Sequence, residues 1–193
     1  FRSLRNSMYK LVLASASPRR SDILTMLGYS FSVRPSDCDE TVPESFSARQ
    51  TVETLSKRKA EAVKRGKGEI ILGSDTVVTL DGKILGKPHT EKEARKMLSF
   101  LSGKTHRVYT GVTVISDEKT ETKSDFASVT FKNLSEKDIS DYIATGECFG
   151  KAGGYAVQGI GERLVEKTEG DFYTIVGLPA ILTKKMLSEI IPE

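Results

Sequence analysis

The chain has 193 residues, 38% of them hydrophobic, enough for one large domain or two small lobes around a buried core. Its 29 basic and 26 acidic residues nearly cancel to +3 and form no extended basic block, which argues against a nucleic-acid partner. No apolar run reaches the roughly 18 to 20 residues that span a bilayer, no signal-peptide pattern is present, and Cys38 and Cys148 match no zinc spacing. These features predict a cytosolic protein with free thiols and no membrane attachment.

The opening residues 1–7, FRSLRNS, read as a leader or cloning remnant, with the fold carried by 8–193. Residues 10–14 are a short apolar strand, and Pro18 suits the first turn of a helix whose apolar face is Ile23, Leu24 and Leu27 before Gly28 stops it. A second strand, FSVRP, leads into the acidic loop SDCDETVPES. From Ser47, a plausible N-cap, a helix runs to about Arg65 with Val52, Leu55, Ala62 and Val63 at helical spacing. EIILGSDTVVTL is a buried strand, and Asp81-Gly82 turns it into KILGKP.

A helix over about 91–101 precedes two alternating segments, HRVYTGVTVI and TKSDFASVTF, which predict a long antiparallel hairpin. SEKDISDYIATG is an amphipathic helix ending at Gly146, GKAGGYAVQGIGERLV is expected to be mostly loop, and a last helix follows VGLPA. No repeat or composition break divides the chain. The pattern favours one α/β domain on a mixed sheet, and two lobes facing across a cleft would also fit.

Asp75 interrupts an apolar strand, where a carboxylate has to be hydrogen-bonded, paired with a cation, or placed at a cavity or metal. The bland reading is a structural ion pair; the sharper one is a base or metal ligand. Lys59 occupies a core-facing slot of its helix. Alone it would be read as snorkelling to water, but beside an interior carboxylate it becomes a phosphate ligand or the cation that holds the aspartate ionised. Asp37, Asp39 and Glu40 in the acidic loop offer hard oxygen ligands that could join Asp75 around magnesium. Lys87 precedes Pro88, and Lys151 sits among glycines that let a ligand approach the main chain. There is no Walker A loop, no strand-linked GxGxxG and no nucleophile elbow, and His89 and His106 lack partners at ligand spacing. What remains is a cationic loop between strand and helix, SASPRR, with inward lysines and a few carboxylates. Together they suggest a polyanion bound with a divalent metal, most simply a nucleoside triphosphate.

In order, LASASPRR at 13–20, LSKRKAEAV at 55–63, GSDTVV at 73–78, GKP at 86–88, LSGKTHRVYTGV at 101–112, KAGGYAVQG at 151–159 and VGLP at 176–179 resemble the Maf family, over about 11–187. The resemblance implies an elongated mixed sheet with flanking helices and a central cleft, as in inosine-triphosphate pyrophosphatases. It also implies metal-dependent cleavage between the α- and β-phosphates of a nucleoside triphosphate, with Mg²⁺ or Mn²⁺ as cofactor, and a homodimer. On that likeness Asp75 is the proton acceptor, Asp75 and Glu40 are metal ligands, and Lys59 shares the catalytic set. Ser15, Ser17, Arg20, Lys87 and Lys151 would hold the substrate. Arg19, Thr76 and Gln158 match the subgroup that prefers dTTP and UTP. A purine-directed enzyme acting on ITP or 7-methyl-GTP, and a nucleotide-binding regulator of septum formation, are the alternatives. The family's usual aspartate before KAGGY is Gly150 here, with Glu147 or Asp171 as candidates to replace its carboxylate.

Overall fold

A computed structural model describes residues 9–191, so the segment read as a leader lies outside the described residues. Strand β1 (Lys10–Leu13) runs into helix α1 (Pro18–Met26), and β2 (Phe31–Val33) returns beside β1 in parallel. After the acidic loop comes α2 (Ala48–Glu61), then β3 (Glu69–Leu80), β4 (Lys83–Leu85) and α3 (Glu91–Leu101). The long hairpin is β5 (Thr105–Ile115) and β6 (Thr120–Phe131), followed by α4 (Glu136–Ala144). The chain ends with β7 (Val165–Glu169), α5 (Phe172–Val176) and α6 (Ala180–Ser188). One mixed seven-stranded sheet results, in the order β2-β1-β3-β5-β6-β7 with β4 also on β3. β1 is parallel to both neighbours, whereas β3, β5, β6 and β7 are antiparallel in succession.

Local sequence explains most boundaries. α2, α3 and α4 each begin with a capping box, Ser47 with Gln50, Thr90 with Glu93 and Ser135 with Asp138, so their first N–H groups are satisfied within the chain. Asp81 and Gly82 both have positive φ, 51° and 74°, as a two-residue turn between right-twisted strands requires. α2 stops at Glu61, short of the predicted end near Arg65, because the chain must turn back into β3 beside β1. The Glu69 carboxylate fixes that turn by accepting the Gly66 N–H at 2.7 Å. Ala60 rather than Ala62 completes the buried face of α2.

The glycine-rich stretch expected to be loop contains two short 3-10 turns, 152–154 and 159–164, and β7 follows it as an edge strand that the sequence pattern did not reveal. The sheet has a different layer on each face. One side packs Leu13, Leu24, Leu72, Leu98 and Val112 with the remaining helices, and the other packs Val12, Ile71 and Ala60 under α2. Side chains alternate across β3, so Asp75 faces α2 while Thr76 faces the larger core.

Candidate active site

β1 pairs with β3 only from Glu69 to Leu72, and β4 joins the same edge only from Val78 to Leu80. Between them the stretch 73–77 of β3 pairs with β5 on its other edge but has no strand on this one, and a cleft of about 510 Å³ opens there at the carboxyl end of β1. The loop 14–17 and the start of α1 form one wall, with Ser17 capping the helix by accepting the Arg20 N–H at 3.4 Å. Arg19, Arg20, Lys59, Lys87 and Lys151 line the cleft against two carboxylates, Glu40 and Asp75. Five cations facing two anions make it a seat for a polyanion.

The carboxylates meet across one ammonium. Lys59 Nζ lies 2.6 Å from Asp75 Oδ1 and 3.3 Å from Glu40 Oε1. Asp75 and Lys59 are only 6% and 9% exposed, so each is the compensation that makes the other's burial tolerable. Asp75 Oδ2 accepts no hydrogen bond among the described residues and is left for a ligand or water. For a divalent cation the donor set fits one binding mode only. Two carboxylates that line the cleft and share one ammonium suit magnesium that takes its other ligands from phosphate and water. Among the described residues no group of three or more His, Cys, Asp and Glu gathers into a cage.

Arg20 is held more firmly than its role as a free phosphate clamp would suggest. Its Nε donates to the Gly177 carbonyl at 2.7 Å, Nη1 to Ser15 Oγ at 3.1 Å and Nη2 to Thr76 Oγ1 at 3.1 Å. Burial pushes its pKa below the usual arginine value, opposed chiefly by the nearby Asp75, and an arginine stays charged regardless. Gly177 also accepts from Ser74 Oγ at 3.0 Å, so its carbonyl ties the loop before α6 to both the arginine and β3. Neither Ser74 nor Gly177 was among the predicted site residues; the motifs GSDTVV and VGLP were the signals that contained them.

Of the predicted residues, Ser15, Ser17, Arg19, Arg20, Glu40 and Lys59 line the cleft, as do Asp75, Thr76, Lys87 and Lys151. Gln158 does not. It is exposed ahead of the second 3-10 turn, and its neighbour Val157 reaches the cleft instead. Gly150 lies in the lining, but neither candidate replacement for a carboxylate there is free. Glu147 accepts from Tyr142 Oη at 2.8 Å, Ile160 N at 3.0 Å and Gly161 N at 2.8 Å, and Asp171 caps α5 and accepts from Ile181 N. Burial raises the Cys38 thiol pKa, against an opposing pull from Lys59, so this cysteine is no thiolate nucleophile.

The profile of the family described as "Maf-like protein" matches residues 10–190. The dTTP/UTP pyrophosphatase of Bacillus pumilus is 43% identical over 181 residues, 93% of this chain and 96% of that one. The dTTP/UTP pyrophosphatase of Bacillus cereus is 46% identical over 173 residues, 89% of this chain and 91% of that one. Among solved structures, the Staphylococcus aureus Ham1 protein is similar at a TM-score of 0.44 and 15% identity, covering 63% of this chain and 71% of that one, too distant to carry an inference. On the profile match and two relatives aligned along almost their whole lengths, the chain belongs to the Maf-like protein family.

Proposed function

We infer that this chain is a nucleoside triphosphate pyrophosphatase that hydrolyses dTTP and UTP to the nucleoside monophosphate and pyrophosphate. The observation that carries the reading is the Asp75–Lys59–Glu40 set in a cleft of excess positive charge, together with relatives at 43% and 46% identity that bear this name. Arg19 and Thr76 in the cleft wall support the pyrimidine subgroup by likeness; Gln158 supports it by sequence alone.

In this reading Lys59 holds Asp75 in place through its 2.6 Å bond to Oδ1, and the unbonded Oδ2 accepts a proton from the water that attacks the α-phosphorus. The bond from that phosphorus to the bridging oxygen breaks, and pyrophosphate leaves. Arg20, Lys87 and Lys151 hold the phosphate oxygens and offset charge as it moves onto the leaving group. Asp75 and Glu40 would hold Mg²⁺ or Mn²⁺, which would neutralise phosphate charge when bound with the nucleotide. The same reading includes a cytoplasmic homodimer without nucleic-acid partners; sedimentation at several concentrations that returned only the 21.2 kDa chain would remove the dimer. Among the described residues no helix is long and apolar enough to cross a membrane.

The test is turnover of dTTP, UTP, ITP and 7-methyl-GTP with magnesium or manganese. Pyrimidine substrates should lead, and Asp75→Asn should lose on the order of a hundredfold in kcat or more. Equal rates across the four, or none on dTTP and UTP, would sink the assignment.

A further inference from the structure

Thr76, Thr110 and Asp125 form a polar row straight across the sheet. Thr76 and Thr110 are register partners on β3 and β5, and Thr110 and Asp125 are register partners on β5 and β6. Thr110 is flanked on that face of β5 by Val108 and Val112, and Val78 and Ala127 lie beside them, while Ser74 and Lys123 are the polar neighbours of the row. Thr110 is fully buried and does not line the cleft. Valine has nearly the same shape and would suit such a core, so packing alone gives no reason for a hydroxyl here.

The hydrogen bonds have one consistent direction. Thr110 Oγ1 donates to the Thr174 carbonyl at 2.8 Å, which uses its only proton. In the 2.9 Å contact between Thr76 Oγ1 and Thr110 Oγ1, Thr76 must therefore be the donor. That uses the only proton of Thr76, whose oxygen then accepts from Arg20 Nη2 at 3.1 Å. The far end is anchored too, since Thr174 Oγ1 donates to Asp125 Oδ2 at 2.8 Å.

We propose that Thr110 is a positioning residue: through Thr76 it fixes the Arg20 guanidinium so that its unused N–H groups face the cleft. Three of the five guanidinium protons are spent on Gly177, Ser15 and Thr76, which leaves one on each terminal nitrogen for phosphate oxygens. Thr76 keeps no proton to offer a nucleobase and could meet one only through its second lone pair; on this proposal its effect on the substrate passes through the arginine. The proposal rests on the reading of Arg20 as a phosphate ligand.

Thr110→Val and Thr110→Ser test it, with melting temperatures measured on both. Valine should lower kcat/KM by about tenfold on dTTP and UTP alike, through misplacement of the phosphate ligand, and serine should restore it. A valine variant with unchanged kcat/KM overturns the proposal, as does a serine variant equally impaired. A changed ranking of bases without a common loss also overturns it, because Thr76 would then be reading the base. A second readout needs no substrate. In the free protein, nitrogen-15 NMR should show separate, slowly rotating Nη signals for Arg20, averaged in Thr110→Val. Averaged signals in the unaltered protein overturn the proposal whatever nucleotide is hydrolysed, and if the valine variant does not fold, Thr110→Ala takes its place in the comparison.

Discussion

His106 carries two ring nitrogens into the core with a partner for only one. It is 1% exposed, its Nε2 lies 2.6 Å from Tyr155 Oη, and its Nδ1 has no partner among the described residues. Phe131 and Tyr155 meet the ring edge to face. Burial lowers its pKa from 6.5 to about 4 and lifts that of Tyr155 far above its usual value, so both are neutral at physiological pH. The unfolded chain takes up a proton near pH 6.5, while the folded one does not until about pH 4. Stability from this residue is therefore complete above about pH 6.5, falls as the pH drops towards 4, and then levels off after a loss of about 3 kcal/mol. Denaturation from pH 7 to 5, where most carboxylates are still ionised, should show the decline, and His106→Gln should flatten it. An NMR titration of His106 with a midpoint near 6.5 would remove the basis for this expectation.

At the scale of elements, α2 does more than carry Lys59. It lies against the sheet closely enough that a Cβ on Gly73 would come 2.4 Å from the Ser56 carbonyl oxygen, and one on Gly111 2.3 Å from that of Val52. Gly111 is the register partner of Asp75, so the bare position beside the carboxylate is where the helix backbone comes down. Ser56 adds a hydrogen bond to Thr113 on β5 at 2.9 Å. Gly111→Ala should destabilise the protein by about 1 to 3 kcal/mol through overpacking, and should cut activity by lifting Lys59 from Asp75. A variant with unaltered unfolding midpoint and rate would show that the helix can shift without consequence. Lys59 and Asp75 were legible in the sequence because each breaks an apolar period. The glycines were not, since closeness to another segment leaves no mark on periodicity. β7 and α5 were missed for related reasons: VEKTE is an edge strand with almost no buried side chain, and α5 spans only 172–176. Arg20 was legible as a basic residue at a helix start, but the three acceptors that lock it come from residues as far along the chain as Gly177.

For the molecule as a whole, the order of strands makes the cleft. A parallel strand that ends at Leu13 and an antiparallel one that begins at Lys83 share one edge of β3, and the site occupies the interval neither covers. The long hairpin and the flanking helices were readable from alternation and caps, whereas this interval depends on pairing between distant segments and could be reached only through the family likeness. An edge left open exposes main-chain amides to water, and usually invites another strand to pair with it. Here the interval is short and walled by the loop 14–17 and Lys59, so it admits a small anion more readily than a polypeptide. The amides of 73–77 that point to this open edge, rather than to β5, should exchange with deuterium faster than those paired to β1 in Glu69–Leu72. Adding dTTP to the Asp75→Asn variant, expected to turn over slowly, should slow exchange over 73–77 and leave the far strand β7 unchanged. Unchanged exchange over 73–77 would place the nucleotide elsewhere. The stretch of β3 left open along one edge then becomes a reporter of occupancy that does not depend on turnover.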